Sequence, residues 1–338
     1  MMRPILASLA RITDLAAEPY AIEARVPQSW RMGDYVLARV VGTPTSLYRI
    51  EHVDGEMIPV RAGNTVIGAL GERAATLEGV GSFRAVRDGR LHALTSAGLF
   101  GAFTSLSRYL PAPLALDYVG HVVRGGEAVN MRAFALGMTG ARFAVPTLLL
   151  VGTSMSAGKT VTGKLACRLL ATAGRDVVAA KLTGAGRYRD ILAFRRAGAR
   201  AIFDFVDGGL PSTVVPEADF RRAIRPVLSH IAARNPELLV AEAGASPLEP
   251  YNGEAAIDEL DGHVAATILC ASDPYAVVGV IKAFGLRPDL VTGPATNTSA
   301  AIDLVDRLTG IPALNVVDPA AEPAFGDFLA EKLSAATA

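Results

Sequence analysis

The stretch TLLLVGTSMSAGKTVTGKLACRLL (residues 147–170) decides the fold of this chain. It consists of an apolar run typical of a buried strand, a glycine-bearing loop, and an amphipathic run that begins at Lys159. The main-chain N–H groups of such a loop and of the following first helical turn form a concave array of donors at a positive dipole end, which suits a polyphosphate. The order of these three parts predicts a phosphate-binding loop.

In this loop, Lys159 is expected to reach the β- and γ-phosphates, and the Thr160 hydroxyl to bind Mg²⁺. Five residues separate Gly152 from Gly158 where the usual pattern has four, so Thr153 stands at the expected glycine position. The alternative is a simple helix entry in which Lys159 and Thr160 are solvated. The residues predicted to bind the nucleotide form one continuous run: Thr153, Ser154, Met155, Ser156, Ala157, Gly158, Lys159, Thr160 and Val161.

Length and charge narrow the functional classes. The 338 residues are enough for two domains of ordinary size, each with its own core. Lys+Arg and Asp+Glu both number 33, a balance that argues against a surface built to coat a polyanion. We therefore expect no nucleic acid partner.

The chain start and the cysteines predict a cytoplasmic protein. The chain start at residues 1–10 has one positive charge, and its short apolar run is ended by Arg11 and Asp14, which makes it a poor secretory signal. No run approaches the roughly 20 apolar residues of a membrane span, so we expect no membrane partner. Cys167 and Cys270 lie in separate apolar segments without the spacing of metal ligands, and we interpret both as core residues in a reducing compartment.

Residues 1–143 read as a smaller, β-rich domain of unknown role. Short apolar runs at 35–41, 46–51, 57–60 and 65–70 alternate with turn residues, which indicates a small antiparallel sheet or barrel. Asp54-Gly55 is a hairpin signal. We predict a helix over 96–110 and a strand over 116–123. The isolated histidines are interpreted as surface or core residues rather than metal ligands: His52, His92 and His121.

Residues 144–338 alternate apolar strand-like runs with helical runs, which predicts an α/β fold with a mostly parallel sheet, a Rossmann-like P-loop NTPase domain. Ligands of such sheets bind beyond the carboxyl ends of the strands. The predicted strands are 147–151, 176–182, 237–241, 265–271 and 290–292, and the predicted helices are 159–173, 220–233 and 300–308.

Two predicted strand ends carry charged residues. Lys181 follows an apolar run, and either it extends its amine to the surface or it points into the cleft, where an ammonium would neutralise a carboxylate or a transferring phosphoryl group. Glu242 ends another apolar strand and is followed by Gly244, whose lack of a side chain allows close approach of a ligand. A carboxylate at that position needs compensation by a metal or a lysine, and beside a phosphate loop we interpret the compensating group as Mg²⁺.

Weaker signals lie at three other positions. Asp204 and Asp207 fall in a glycine-containing turn, and their carboxylates leave the chain on different faces if the segment is extended or flank the turn if it is not. Either could approach the metal or cap the turn. Asn297 and Thr298 could meet a nucleobase or a substrate. Thr298 or Ser299 could equally be a helix N-cap, and we favour Ser299 for that role.

With these residues, the region from about 146 to 318 resembles dethiobiotin synthetase, a P-loop protein of the SIMIBI type, and uncharacterised two-domain relatives of that family. The phosphate loop of that family has a glycine, five residues and then Gly-Lys-Thr, as Gly152 through Thr160 have here. The family also has a lysine at the end of its second strand, matched by Lys181, and an acidic strand end, matched by Glu242-Ala243-Gly244. The sequence departs from the family pattern at two positions. The Lys-Pro that follows the second strand of dethiobiotin synthetase is Lys181-Leu182 here, and the family's glycine-rich acidic turn is replaced by Glu242-Ala243-Gly244-Ala245. Because the N-terminal domain is additional, biotin synthesis itself is not expected.

The resemblance implies ATP and Mg²⁺, with γ-phosphoryl transfer to a small carboxylate-type substrate and an acyl-phosphate intermediate that then reacts with an amine. Lys159, Lys181 and Glu242 are the implied catalytic residues. We expect a small-molecule substrate and a homodimer. The rival hypothesis is a nucleotide-switched binding or assembly protein, and a third is a binding module that has lost catalysis.

Overall fold

The computed structural model of the chain describes residues 3–42 and 49–334. The start of the predicted strand at 46–51, and the first two residues, lie outside this range. Contacts divide the chain into two compact units. Unit 1 comprises Met1–Gly137, Ala185–Arg189 and Phe205–Val214, and unit 2 comprises Met138–Gly184, Asp190–Asp204 and Val215–Ala338. Each unit is described by itself.

Unit 1 is made of strands. In chain order they are β1 (Ile5–Leu6), β2 (Ala21–Glu23), β3 (Tyr35–Val40), β4 (Arg49–Glu51), β5 (Met57–Pro59), β6 (Thr65–Leu70), β7 (Glu72–Ala75), β8 (Gly79–Ser82), β9 (Arg90–Thr95), β10 (Leu99–Leu106), β11 (Ala115–Arg124) and β12 (Glu127–Ala128).

Five of these strands close into a barrel. The pairing order is β6-β3-β11-β9-β10, and a further parallel pairing of β10 with β6 completes the ring. The inward side chains are apolar and buried, as the alternation of the sequence predicts. From these strands the core contains Val36, Ala38, Val40, Val66, Leu70, Leu91, Phe100 and Leu116, and residues outside them complete it: Ala7, Trp30, Ile50, Val60, Phe83, Val86 and Leu114.

The hairpin prediction is confirmed, and one helix prediction is wrong. Strands β4 and β5 pair antiparallel across the Asp54-Gly55 turn, where Gly55 has a φ of 87°. Residues 96–110, predicted as a helix, instead contain β10. Apolar residues such as Leu99, Phe103 and Leu106 recur at helical spacing, but pairing with strands β6, β8 and β9 overrides that local pattern.

Unit 2 contains the predicted alternation of strands and helices. Its strands are β13 (Thr147–Gly152), β14 (Val177–Thr183), β15 (Ala201–Asp204), β16 (Leu238–Ala243), β17 (Val264–Cys270) and β18 (Leu290–Thr292). Its helices are α1 (Lys159–Thr172), α2 (Tyr188–Arg196), whose first two residues count with unit 1, α3 (Glu217–Ala233), α4 (Gly253–Asp258), α5 (Pro274–Phe284), α6 (Ser299–Thr309) and α7 (Glu322–Ser334).

The six strands form one fully parallel sheet in the order β15-β14-β16-β13-β17-β18. Because the strands are parallel, all their carboxyl ends lie at one edge of the sheet. Strand β13, which leads into the glycine-bearing loop, lies between β16 and β17 near the centre. The fold class is therefore the predicted one, an α/β P-loop NTPase domain that a β-rich region precedes in the chain.

At the segment with Asp204 and Asp207, the extended alternative holds for Asp204 and the turn for Asp207. Residues 201–204 form β15, so Asp204 ends a strand, and the glycine-containing turn begins after it. One prediction in unit 2 is corrected. The N-cap of α6 is Thr298 rather than Ser299, because the Thr298 backbone is extended and its hydroxyl accepts a hydrogen bond from the Ala301 N–H at 3.2 Å. In the part of the chain that the structure describes, no helix is long and apolar enough to cross a membrane.

Candidate functional site

The loop between β13 and α1 presents main-chain donors. Gly158 adopts the left-handed conformation, with a φ of 98°, and α1 begins at the next residue. Within the described ranges, the N–H groups of Ser154, Met155, Ala157 and Gly158 donate no main-chain hydrogen bond, and neither do those of the first helical turn at 159–161. Such an array of N–H groups at a helix N-terminus is a binding surface for an anion.

Lys159 is buried in this loop rather than solvated. Its side chain is 2% exposed, and Nζ donates a hydrogen bond to the Ser154 carbonyl oxygen at 2.6 Å. Burial lowers the pKa of Lys159 from its usual value, and the nearby Glu242 carboxylate acts in the opposite direction. The amine lies close over Gly152, where an added Cβ would be 2.4 Å from Nζ. Gly152 is therefore needed for the position of the lysine.

Thr160, like Lys159, differs from the alternative of a simple helix entry in which both side chains are solvated. Its Oγ1 donates a hydrogen bond to Glu242 Oε2 at 3.0 Å. Glu242 is 2% exposed and lies on β16, the strand next to β13, in register with Leu150. The parallel pairing of two adjacent strands thus brings the loop hydroxyl and the strand-end carboxylate together.

Lys181 is buried at the end of β14, so the alternative of an amine extended to the surface is wrong. Its Nζ lies 2.6 Å from Asp190 Oδ2 and 3.9 Å from Glu242 Oε1, and its side chain is 5% exposed. The register of β14 and β16 pairs Lys181 directly with Glu242. Thr160, Glu242, Lys181 and Asp190 therefore form one continuous polar chain at the carboxyl edge of the sheet.

Asp190 is the member of this chain that sequence reasoning missed. It lies in the first turn of α2. The available signal was indirect, since a lysine is rarely fully buried without a charged partner. The first carboxylate after Lys181 in the sequence is Asp190.

Asp204 and Asp207 are separated by the structure. Asp204 ends β15, is 1% exposed and pairs in register with Lys181. Asp207 belongs to unit 1, where its Oδ1 lies 3.3 Å from Arg11 Nη2. Of the two, only Asp204 lies at the carboxyl edge of the parallel sheet.

Close backbone approach at this edge also constrains Gly244. Its N–H donates to Thr183 Oγ1 at 3.0 Å, and an added Cβ would lie 1.9 Å from the Thr183 carbonyl oxygen. The glycine is thus required where the ends of β14 and β16 meet.

Asn297 is exposed and follows a short turn of helix after β18.

The residues present fit a magnesium ion held together with phosphate oxygens. A hydroxyl and a carboxylate are hard oxygen donors, and Mg²⁺ in proteins commonly takes one or two such ligands and keeps waters or phosphate oxygens for the rest. Thr160 and Glu242 supply this pair. Among the described residues, no group of three or more His, Cys, Asp or Glu side chains is placed to hold a metal on its own.

The three histidines predicted not to be ligands all have local partners. His52 Nδ1 lies 2.9 Å from Asp54 Oδ2, and His92 Nδ1 accepts from the Phe103 N–H at 3.1 Å. His121 is fully buried, with Nδ1 2.6 Å from the Tyr118 hydroxyl.

No protein-family profile matches the sequence, and no curated protein matches it. Among solved structures, the chain is similar to chloroplast FtsY from Physcomitrella patens (14% identity, TM-score 0.35, 54% of this chain and 62% of that one). It is also similar to a DUF1611 family protein from Anabaena variabilis (17% identity, TM-score 0.39, 59% of this chain and 61% of that one). A third similar structure is HypB from Helicobacter pylori, solved in complex with nickel (18% identity, TM-score 0.37, 56% of this chain and 88% of that one).

The chain spans about three fifths of the length of the first two of these proteins. At this identity and TM-score the likenesses say nothing of activity. The assignment of the fold depends on the parallel strand order, the loop after β13 and the helix that follows it.

Proposed function

We propose that the chain binds ATP with Mg²⁺ at the loop after β13 and acts as a ligase or kinase that transfers the γ-phosphoryl group to a small carboxylate-type substrate. The resulting acyl phosphate would react with an amine to give an amide and inorganic phosphate. The observation that carries this proposal is the polar chain from the partly buried Thr160 through the buried Glu242 and Lys181 to the partly buried Asp190, beside a loop of main-chain donors.

Each residue has a role that follows from its position. The N–H groups of Ser154, Met155, Ala157 and Gly158 and of residues 159–161 would bind phosphate oxygens, whereas the Thr153 N–H already donates to the Cys270 carbonyl oxygen at 3.0 Å. Lys159 would neutralise phosphate charge from within the loop. Thr160 and Glu242 would hold the magnesium ion, which screens the charge of the bound triphosphate. Lys181, oriented by Asp190, would neutralise the substrate carboxylate or the transferring group.

Phosphoryl transfer suits this set because it asks a protein mainly for positioning and charge neutralisation. The charges at the strand ends are already opposed in pairs, with Lys181 between two carboxylates. Such a preformed arrangement requires little rearrangement when charge moves during the reaction. The resemblance of Gly152–Thr160, Lys181 and Glu242-Ala243-Gly244 to dethiobiotin synthetase supports the choice of a carboxylate acceptor.

The test is nucleotide turnover with a matched pair of lysine variants on one helix. Lys159 is buried and Lys164 is exposed on α1. Calorimetry on pure protein with millimolar Mg²⁺ should detect ATP or GTP, and Lys159→Ala should lower ADP or GDP release by about 100-fold or more, since it removes an electrostatic contact to the transferring phosphate. Lys164→Ala should leave turnover unchanged.

The proposal fails if neither nucleotide binds the wild-type protein at millimolar concentration. It also fails if Lys159→Ala and Lys164→Ala, both shown to be folded by circular dichroism, release ADP at the same rate.

A nucleotide-switched binding or assembly protein is the second candidate, and one observation favours it. The segments that follow β14 and β15, Ala185–Arg189 and Phe205–Val214, belong to unit 1. In GTPases, switch segments are ordered by contacts to the γ-phosphate and Mg²⁺ and are released on hydrolysis, and both segments follow strands of the sheet edge at which we propose that the nucleotide binds. A small carboxylate plus an amine should stimulate turnover if the first candidate is right, whereas only a protein partner should do so for the second.

We also propose that the chain forms a homodimer in the cytoplasm. Light scattering on the purified protein at several concentrations would test the dimer, and a mass corresponding to one chain at all concentrations would refute it.

A further inference from the structure

Unit 1 contains a cavity of about 380 Å³, in the size range of small-molecule sites. An ion pair, a tyrosine ring and apolar side chains line it, among them Arg11, Asp207, Tyr188, Ile12, Val53 and Phe134. All its lining residues belong to unit 1. Neither the P-loop nor the polar chain of unit 2 contributes to it, so it is a separate site.

The polar wall of the cavity is formed by the buried guanidinium of Arg11 and the partly buried side chains of Asp207 and Tyr188. The Arg11 side chain is 8% exposed, its Nη2 lies 3.3 Å from Asp207 Oδ1, and its guanidinium carbon lies 4.6 Å from the centroid of the Tyr188 ring. A guanidinium presents several N–H donors in one plane, a geometry that matches a carboxylate. A cation and an anion therefore stand side by side at this wall.

Main-chain hydrogen bonds fix the positions of Asp207 and Tyr188, which lie far from Arg11 in the sequence. The Leu136 N–H donates to the Asp207 carbonyl oxygen at 2.8 Å. The Tyr188 N–H donates to the buried Glu51 carboxylate at 2.8 Å. Fixing the walls before a ligand binds reduces the ordering cost of binding.

The charges of the wall select the class of ligand. A simple anion would be attracted by Arg11 but repelled by Asp207, and a simple cation would be attracted by Asp207 but repelled by Arg11. A molecule carrying an ammonium and a carboxylate close together satisfies both partners, and an apolar substituent on it would contact Ile12, Val53 and Phe134. We propose that this cavity binds a free α-amino acid with an apolar side chain.

Three probes of almost the same shape separate the contributions. Leucine carries both charges, 4-methylpentanoate lacks the ammonium, and isoamylamine lacks the carboxylate. Calorimetry on the full chain without nucleotide should show binding of L- or D-leucine, with at least tenfold weaker binding of the other two probes, since each lacks one charge-assisted contact. No binding of either leucine enantiomer at millimolar concentration, or equal binding of all three probes, would overturn the proposal.

Variants assign the binding to this wall. Arg11→Lys, which loses the planar fork, and the nearly isosteric Asp207→Asn should each weaken leucine binding at least tenfold. The matched control is Arg84→Ala, because Arg84 also lies over an aromatic ring, Phe83 at 4.8 Å, and pairs with Glu72 at 3.1 Å, but does not line the cavity. It should leave binding unchanged.

Equal leucine affinity in Asp207→Asn and in the wild type, with both folded, would refute the site even if Arg11→Lys failed to fold. This test is independent of the proposed nucleotide chemistry. Lys159→Ala should bind leucine as the wild type does, so failure of one proposal leaves the other intact.

Discussion

Replacing Glu51 with glutamine should destabilise unit 1 and loosen the start of α2. Glu51 is fully buried on β4, and its carboxylate accepts hydrogen bonds from the Ser8 hydroxyl, from the Tyr188 N–H at 2.8 Å and from the Arg189 N–H at 2.9 Å. Both N–H groups belong to the first turn of α2, where the intrahelical ladder supplies no acceptor. The carboxylate thus caps this helix from a distant strand.

The size of the effect follows from the donors that lose their acceptor. Glutamine keeps the shape but turns one oxygen into an amide nitrogen, so at least one of the two N–H groups faces another donor. A buried donor left unsatisfied costs about 1–3 kcal/mol, and the lost negative charge at a helix N-terminus costs about 0.3–1 kcal/mol more. Glutamine also relieves the desolvation of a buried charge, so we expect a net loss of about 1–3 kcal/mol.

The assay combines urea unfolding with amide hydrogen exchange of the peptide at 186–196. Glu51→Gln should lower the unfolding midpoint and speed exchange at Tyr188 and Arg189. The control is Glu237→Gln. Glu237 also accepts a main-chain hydrogen bond, from the Asp176 N–H at 2.7 Å, but its side chain is 49% exposed. The Glu237→Gln substitution should therefore change the free energy of unfolding by no more than about 0.5 kcal/mol. Equal midpoints for the two variants, with unchanged exchange at 188–189, would refute the capping role.

Three further predictions concern unit 2. Glu242→Gln should raise the Mg²⁺ concentration needed for half-maximal turnover, whereas the exposed Glu254→Gln should not, and the metal role is wrong if the two titrations coincide with that of the wild type. Gly244→Ala should prevent stable folding, since its Cβ would lie 1.9 Å from a main-chain oxygen of β14, while Gly279→Ala, with open space within helix α5, should stabilise by about 0.4–1 kcal/mol. Burial raises the pKa of the Cys270 thiol from 9.0 to about 11, so the native protein should resist alkylation at pH 8. Because the folded thiol holds its proton more tightly, the unfolding free energy should fall between pH 9 and pH 11, and Cys270→Ser should flatten that fall.

Local patterns predicted much of unit 2. The apolar run before Gly152 and the run from Lys159 fix a strand, a loop and a helix within one continuous stretch, and the structure has all three. Parallel strands then bring their carboxyl ends to one edge, which made Lys181 and Glu242 predictable as neighbours. Their contact with each other follows from the strand order, with β14 beside β16.

What the sequence could not supply depends on contacts between distant segments. Asp190 pairs with Lys181 only because α2 begins where it does, and α2 is capped by Glu51, more than a hundred residues earlier. The residues of β10 have helical spacing and became a strand only through partners on both sides. In the same way, Asp207 was read as a candidate metal ligand, because nothing local shows that it pairs with Arg11.

The discontinuity of unit 1 has a practical consequence for making fragments. A polypeptide that stops at Gly137 would lack Ala185–Arg189 and Phe205–Val214. It would lack the two helix N–H groups that the Glu51 carboxylate accepts from, and the Asp207 carboxylate that pairs with Arg11. A truncated N-terminal half is consequently a poor substitute for the intact protein, and fusing that half to a different α/β domain would require the two short segments to be included.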